Sequence, residues 1–391
     1  MSHKLVNLNE DLRRLRDEGY EVDVVADHLV VASVPYVGPD RQVNRGVLVS
    51  PLDLAGESTI APRHHVIFFA GGQPCDQYGV VLPGLQNTEE RREIVPGLVV
   101  ERSFSNKPPE GFKDNFDKVT NYIRIISAHA QAIEPTATAQ TYKVVDTPDE
   151  AEPFHYVDSN TSRAGISEAV NKIRGQKIAI VGVGGTGSYV LDFVSKTPVA
   201  EIHIYDGDDL LTHNALRAPG AVSVELLNTR PKKVNHWRDV YSRLHKHVIA
   251  HEKWLDEATT HELLSMDFVF VCLDDERAKR TTIDALNTAK IPLVDVGIGI
   301  NLVDGALTGS VRTTLATSDK SDHLAERVSL GAGAEDEYGA NIQIAELNAL
   351  NAALAVIKWK KHYGYYHDLE REHNSVYDIN VNRIQNDEYA A

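Results

Sequence analysis

In the first part of the chain, apolar and polar residues alternate in short β-rich runs, EVDVVADHLVVASV, RGVLVSPLDL and HHVIFFAGG, set apart by clusters of Pro and Gly. A charged amphipathic stretch around Leu8 to Arg16 precedes them and predicts a helix. A polar, turn-rich segment, SFSNKPPEGFKDN, then leads into NFDKVTNYIRIISAHAQAI, whose apolar positions recur at helical spacing. Together these predict a smaller α+β domain over residues 1–150. The next stretch, EPTATAQTYKVVDTPDEAEPFHYVDSNTS, is rich in Pro, Thr and acidic residues and reads as a linker, with a boundary near residues 145 to 160.

Beyond it the pattern becomes an alternation of strands and helices. A helix, SRAGISEAVNKIRG, comes first. Then follow KIAIVGVG, a helix from Thr186, EIHIYD, a helix near Pro231 to Leu244, HVIAHEKW, a helix near Ala258 to Leu264, DFVFVCL, a further helix, and IPLVDVGIG. Continuous apolar strands between amphipathic helices predict a doubly wound α/β domain over residues 160–391, with a mostly parallel sheet covered on both faces. A β-rich run, NLVDGALTGSVRTTLA, and a helix over Asn341 to Tyr363 that is apolar on more than one face complete it. Asn348 and Asn351 in that helix predict core or interface contacts, and Lys358, Lys360 and Lys361 a solvated helix end.

Composition narrows the class. The chain has 391 residues, 42% of them hydrophobic, enough for packed cores and for two domains. Its formal charge of −16 excludes broad electrostatic binding to nucleic acid or anionic membrane. Two cysteines, Cys75 and Cys272, provide neither a disulfide framework nor a Cys-x-x-Cys zinc pair. No apolar run approaches the roughly 18 residues of a membrane span. These features predict a soluble, unprocessed, cytoplasmic protein.

The candidate chemistry begins at Gly182-Val183-Gly184-Gly185-Thr186-Gly187, which follows the strand KIAIV and opens a helix. Backbone N–H groups and a helix N-terminus there face a phosphate. The next strand, EIHIYD, ends in Asp206, where a carboxylate commonly holds a ribose hydroxyl. To this point an NAD-dependent oxidoreductase fits as well as an ATP enzyme. Asp208, Asn214, Arg217, Lys233 and Asp274 then recur near the carboxyl ends of strands, and a dehydrogenase needs no such set. Adenylation does. Attack of a carboxylate on an α-phosphate builds charge on phosphate oxygens and departing pyrophosphate, which cations such as Arg217 and Lys233 neutralise while Asp274 binds Mg2+.

The strings GVGGTG, DGDDLLTHNALR, RPKKV and DFVFVCLDDERAKR resemble, in order and spacing, the successive motifs of the ThiF/MoeB/ubiquitin-E1 superfamily of adenylating enzymes, over roughly residues 160 to 365. The resemblance implies a Rossmann-like E1 adenylation fold and a homodimer that uses ATP and Mg2+. It implies roles for Asp206 and Asp208 as the acidic pair, Asn214 and Arg217 as Asn-x-x-Arg, Lys233 as the ATP-contacting lysine and Asp274 as the metal aspartate. Arg163 resembles the arginine that the family supplies to the γ-phosphate from the opposite protomer. The first domain resembles extra domains fused to E1-like proteins in bacterial ubiquitin-like conjugation systems, where it would recognise the carrier, receive an E2-like protein or be E2-like itself.

Two departures limit the inference. Sulfur-transfer members carry Cys-x-x-Cys pairs, and many E1 enzymes have a nucleophilic cysteine in the crossover segment; this chain has neither. Its crossover, placed at about Thr313 to Gly339, offers Thr313, Thr314, Thr317, Ser318 and Ser321 as a solvated connector. Cys272 reads as a small apolar filler. Cys75, in the loop AGGQPCDQYG near His64 and His65, is the better candidate for exposure, although packing is the plainer role for it. The expectation is an activating enzyme that adenylates the C-terminal carboxylate of a ubiquitin-like protein. The rival expectations are another carboxylate, a tRNA base, an NAD oxidoreductase, or a nucleotide-binding scaffold without chemistry.

Overall fold

In the computed structural model, which describes residues 2–145, 152–328 and 342–389, the chain divides into two units, each with its own sheet. The first comprises Met1–Val145 and Asp158–Gly165, the second Asp146–Val157 and Ile166–Ala391. Residues 146–151 of the expected linker lie outside the described residues. Just after them, Pro153 and His155 join the second unit, accepting from the Lys246 N–H and donating to the Leu244 carbonyl.

The first unit opens with α1 (Ser2–Leu8) and α2 (Glu10–Asp17). Strands β1 (Glu21–Val25), β2 (His28–Val37) and β3 (Val43–Pro51) follow, then the short pair β4 (Leu54–Ala55) and β5 (Ser58–Thr59). β6 (Val66–Ala70), β7 (Gln86–Val95), β8 (Leu98–Ser105), α3 (Asn115–Ile133) and α4 (Ser159–Ala164) complete it. The main sheet is antiparallel, in the order β1-β2-β3-β6-β8-β7. Asp114 caps α3 by accepting the Asp117 N–H at 2.8 Å, and α3 buries Val119, Tyr122, Ile123 and Ile126 with Leu12, Leu15, Phe69 and Phe104. Burying these side chains supplies roughly 1.5–3 kcal/mol each before chain entropy is counted. The β7–β8 hairpin is absent from the pattern reading, because Gln86 to Glu93 are all exposed and no apolar alternation marks them.

Cys75 takes the packing role and not the exposed one: it is fully buried, bridged to Val37 and Val81, and burial with the neighbouring Asp76 pushes its thiol up.

The second unit begins with α5 (Ser167–Asn171), β9 (Lys177–Val181), α6 (Gly185–Val194), β10 (Glu201–Tyr205), α7 (Thr212–Ala215), α8 (Val224–Asn228) and α9 (Lys233–Tyr241). Next come β11 (Val248–His251), a 3₁₀ turn at Thr260–Ser265 where a helix was expected, β12 (Phe268–Val271), α10 (Glu276–Thr288) and β13 (Leu293–Val303). β14 (Ala306–Ala316), α11 (Leu324–Arg327), α12 (Ala345–His362), β15 (Glu372–Asp378) and β16 (Arg383–Tyr389) end it. Asn341, where the pattern started the last helix, lies outside the described residues. The expected helix SRAGISEAVNKIRG is two short ones, because Gly165 adopts a left-handed cap at φ 68° and ends α4.

The sheet runs β11-β10-β9-β12-β13-β14-β15-β16. Its first five strands are parallel and the last three join antiparallel. Alternation in the central strands shows the double winding. Ile178, Ile180, Phe268 and Phe270 enter one core with Val190, Trp237 and Trp359, while Ala179, Val181, Val269 and Val271 enter another with Leu263 and Leu286. The strand order reverses between β9 and β12, so their carboxyl ends open a crevice at a topological switch point. Among the described residues no helix is long and apolar enough to cross a membrane.

The Lys358 to Lys361 run also corrects an expectation. Lys358 is 3% exposed and donates to the Glu372 carbonyl at 3.0 Å, and Lys361 reaches both Glu372 oxygens. A strand that the pattern did not reveal, β15, brings Glu372 to them.

Candidate active site

The glycine loop is shaped by close backbone approaches. Gly182 adopts φ +85°, its N–H donates to the Tyr205 carbonyl at 2.8 Å, and a Cβ there would stand 2.6 Å from the Cys272 carbonyl oxygen. A Cβ on Gly187 would collide with the Gly182 carbonyl oxygen, so this glycine lets α6 pack onto its own loop. Gly184 faces open space. The outcome is a helix N-terminus directed into the crevice, with donors that no intrahelical bond consumes. Asn348 of α12, fully buried, locks it by accepting from Thr186 Oγ1 at 2.9 Å and donating to the Arg217 carbonyl at 3.2 Å. Asn351 donates to the Gly297 carbonyl at 3.1 Å, so both asparagines are core contacts of this unit.

Asp206 and Asp208 follow β10. Asp206 Oδ2 accepts the Val183 N–H at 3.0 Å and Oδ1 accepts the Asp208 N–H at 2.9 Å, which ties the glycine loop to the end of the next strand. Lys233, at the start of α9, sets its Nζ 2.6 Å from Asp208 Oδ2 and 3.7 Å from Asp206 Oδ2. Burial raises the Asp206 carboxyl against the opposing pull of Lys233. Burial pushes Asp208 up too, but its hydrogen bond and charge attraction to Lys233 prevail and hold it below the ordinary range. The pair therefore presents an ammonium pinned by two carboxylates of unequal acidity beside the glycine loop.

Asn214 accepts the Leu211 N–H with its Oδ1 at 2.9 Å, closing the first turn of α7. Its carbonyl receives the Arg217 N–H at 3.1 Å, so Asn214 fixes the segment that carries Arg217. Arg217 Nε is buried and has no acceptor among the described residues. A buried guanidinium donor without a partner costs free energy until an anion meets it.

These residues line one cleft of about 1720 Å3, together with Gly182, Gly184, Gly185, Thr186 and Asp274. Gly187 is not on its wall. Arg163 is on α4, in the first unit. Lys279 and Arg312, which the sequence reading passed over, line the cleft too, and the carboxylate that holds them lies behind its wall. Asp295, fully buried in β13, meets Arg312 Nη2 at 2.6 Å and Lys279 Nζ at 3.3 Å, a triad with one negative and two positive charges. A carboxylate inside the apolar run IPLVDVGIG is the signal that marks it, since an aspartate is almost never fully buried without a partner. Trp254, just beyond β11, also lines the cleft.

No group of three or more His, Cys, Asp or Glu among the described residues is placed to hold a metal ion by itself. Asp274 fits a divalent cation shared with a triphosphate, because Mg2+ takes one or two protein carboxylates and completes its shell with phosphate and water. Cys272 sits just past β12 rather than inside it, and burial pushes its thiol up. The crossover is only partly described, residues 329–339 lying outside. Thr313 and Thr314 are buried within β14, not in a connector, whereas Ser318 is exposed.

Fold and site together define a doubly wound α/β domain with a glycine loop opening a helix and a charged crevice at its strand ends. Residues 158–326 match the ThiF family and residues 10–159 match a domain of unknown function (DUF6791), so the chain carries a ThiF family domain behind that one. Ubiquitin-like modifier-activating enzyme 5 of Aedes aegypti is 26% identical over 167 residues, 38% of this chain and 42% of the relative. The Xenopus laevis protein of the same name is 26% identical over 176 residues, 40% and 43% of the two chains. The chain thus spans less than half the length of these curated relatives. Among solved structures, the microcin C7 biosynthetic enzyme MccB in complex with N-formylated MccA gives a TM-score of 0.47 at 18% identity, covering 59% of this chain and 70% of that one. PaaA gives 0.44 at 17%, covering 59% and 80%.

Proposed function

We propose that the second unit adenylates a carboxylate with MgATP, and that its substrate is the C-terminal carboxylate of a ubiquitin-like protein. The observation that carries this reading is the unpartnered Arg217 Nε in the same cleft as the glycine loop and the Lys233 ammonium. Two cations and a helix N-terminus converge where an anion of high charge belongs. Kinship of the ThiF domain to activating enzymes for ubiquitin-like modifiers supports the choice of substrate.

The residues divide the work as follows. Loop N–H groups at Gly184 and Gly185 receive phosphate oxygens, and Asp206 holds the ribose. Arg217 and Lys233 stabilise charge on the α-phosphate and on leaving pyrophosphate, a contribution of about 3 kcal/mol for a single donor of this kind. Mg2+, carried by the nucleotide and held by Asp274, supplies charge neutralisation on the phosphates when bound. The carboxylate oxygen attacks the α-phosphorus, forming an acyl-phosphate anhydride while the bond to pyrophosphate breaks. Arg163 would serve the γ-phosphate of a second copy's site in a homodimer, and the first unit would bind the carrier or an E2-like protein.

Product analysis tests the reaction type. With ATP and a ubiquitin-like protein present, hydroxylamine should trap a C-terminal hydroxamate and the nucleotide product should be AMP. ADP without a hydroxamate would contradict adenylation, and a hydroxamate formed only on a short peptide would move the substrate class.

A further inference from the structure

Trp254 is the one tryptophan open to solvent, 69% exposed where Trp237 is 2% and Trp359 is 0% exposed. Leaving that much apolar ring in water forgoes stabilisation that a covering partner restores. The indole is nevertheless held in place. Its ring lies against the α-carbon of Gly207, where a Cβ would come within 2.5 Å of it, and its Nε1 donates to Asp208 Oδ1 at 3.3 Å. That carboxylate is the one whose other oxygen binds Lys233. One edge of the ring is thus clasped and oriented, and the remainder borders the cleft.

Position along the sheet identifies what the ring meets. β9, β10 and β11 are adjacent and parallel, so the segments beyond their carboxyl ends lie in a row. The first holds the glycine loop, the second Asp206 and Asp208, the third Trp254. Phosphate cradle, sugar-binding carboxylate and aromatic plane follow the order of the parts of a nucleotide.

We propose that Trp254 is the base-stacking platform of this cleft, taking the purine ring of the nucleotide on its open face while Gly207 and Asp208 hold the indole. The proposal rests on the adenylation reading for the identity of the ligand. A π-face favours any purine and does not read ring substituents, so ATP and GTP should bind with similar affinity here. Selection of ATP would then come from another contact or not at all.

Calorimetry and tryptophan fluorescence on the full chain, with ATP, GTP and inorganic tripolyphosphate as probes, test the assignment. Both nucleotides should quench wild-type emission, and tripolyphosphate should bind without quenching. Trp254→Ala should weaken ATP about tenfold while leaving tripolyphosphate affinity unchanged, and Trp254→Phe should retain ATP binding but lose the quench. Trp254→Ala that binds ATP as tightly as wild type, or loses tripolyphosphate in equal measure, would overturn the platform. A wild type that binds none of the three would overturn the adenylation reading, and the platform with it.

Discussion

Lys233 and Asp208 are joined twice: the lysine backbone N–H donates to the Asp208 carbonyl at 3.0 Å, and the lysine Nζ donates to Asp208 Oδ2 at 2.6 Å. The start of α9 is therefore fastened to the segment after β10 by both main chain and side chain. In the adenylation reading proposed above, only the side-chain link would open to a phosphate.

Lys233→Met should separate these contributions. Adenylate formation should fall by about 100-fold or more, since a preorganised cation at the reacting phosphate is lost. Stability should also fall, by about 3 kcal/mol, because the Lys233 and Asp206 side chains are each 8% exposed and the change leaves that buried carboxylate without its cation. Single-turnover kinetics and urea unfolding read the two effects independently.

Two glycines of one loop should behave differently. Gly187→Ala drives a methyl into the Gly182 carbonyl, so the domain should lose about 3 kcal/mol or more and bind no nucleotide. Gly184→Ala meets no atom within 4 Å and should leave the melting temperature unchanged while weakening ATP, because its methyl occupies ligand space. Equal melting losses in both variants would contradict the division of roles.

Asp295→Asn removes the common carboxylate of Arg312 and Lys279. Two cations remain in a largely buried setting, and breaking such a group typically costs about 3–5 kcal/mol. Chemical denaturation should show a loss of that order. A neutral result would mean that the two side chains turn out to solvent when released.

How much of this could be read from the sequence varies with the physical signal. β9, β10 and β12 were legible because buried parallel strands are continuously apolar, and α3 was legible to the residue because Asp114 caps a clean helical period. β7, β15 and β16 were not, since exposed or polar-lined strands such as HNSVYD carry no alternation. The glycine loop, Asp206, Arg217, Lys233 and Asp274 follow from motif order and do line one cleft. The burial of Lys358 was hidden because it depends on Glu372, which a strand from elsewhere in the chain contributes, while the packing of Cys75 matched its plainer reading and only its partner Val37 was unforeseen.

Acid should weaken the second unit through His245. The ring is fully buried, faces the Val199 carbonyl with Nε2 at 3.1 Å and receives the His247 N–H on Nδ1 at 3.2 Å, an arrangement that requires the neutral imidazole. Burial lowers its pKa to about 4 from the ordinary 6.5. The unfolded chain then binds more protons than the folded one between these values. Stability is full above pH 6.5 and declines as pH falls toward about 4, by about 3 kcal/mol in all. Unfolding free energies across that range should show the slope, and His245→Gln should reduce it.

The most direct test of adenylation is exchange of labelled pyrophosphate into ATP, driven by a ubiquitin-like protein with a free C-terminal carboxylate. The wild type should catalyse carrier-dependent exchange, Arg217→Ala and Asp274→Ala should lose it by about 100-fold or more, and a carrier with an amidated C-terminus should support none. Exchange that persists in both variants, or that ignores the carboxylate, would contradict the site described here.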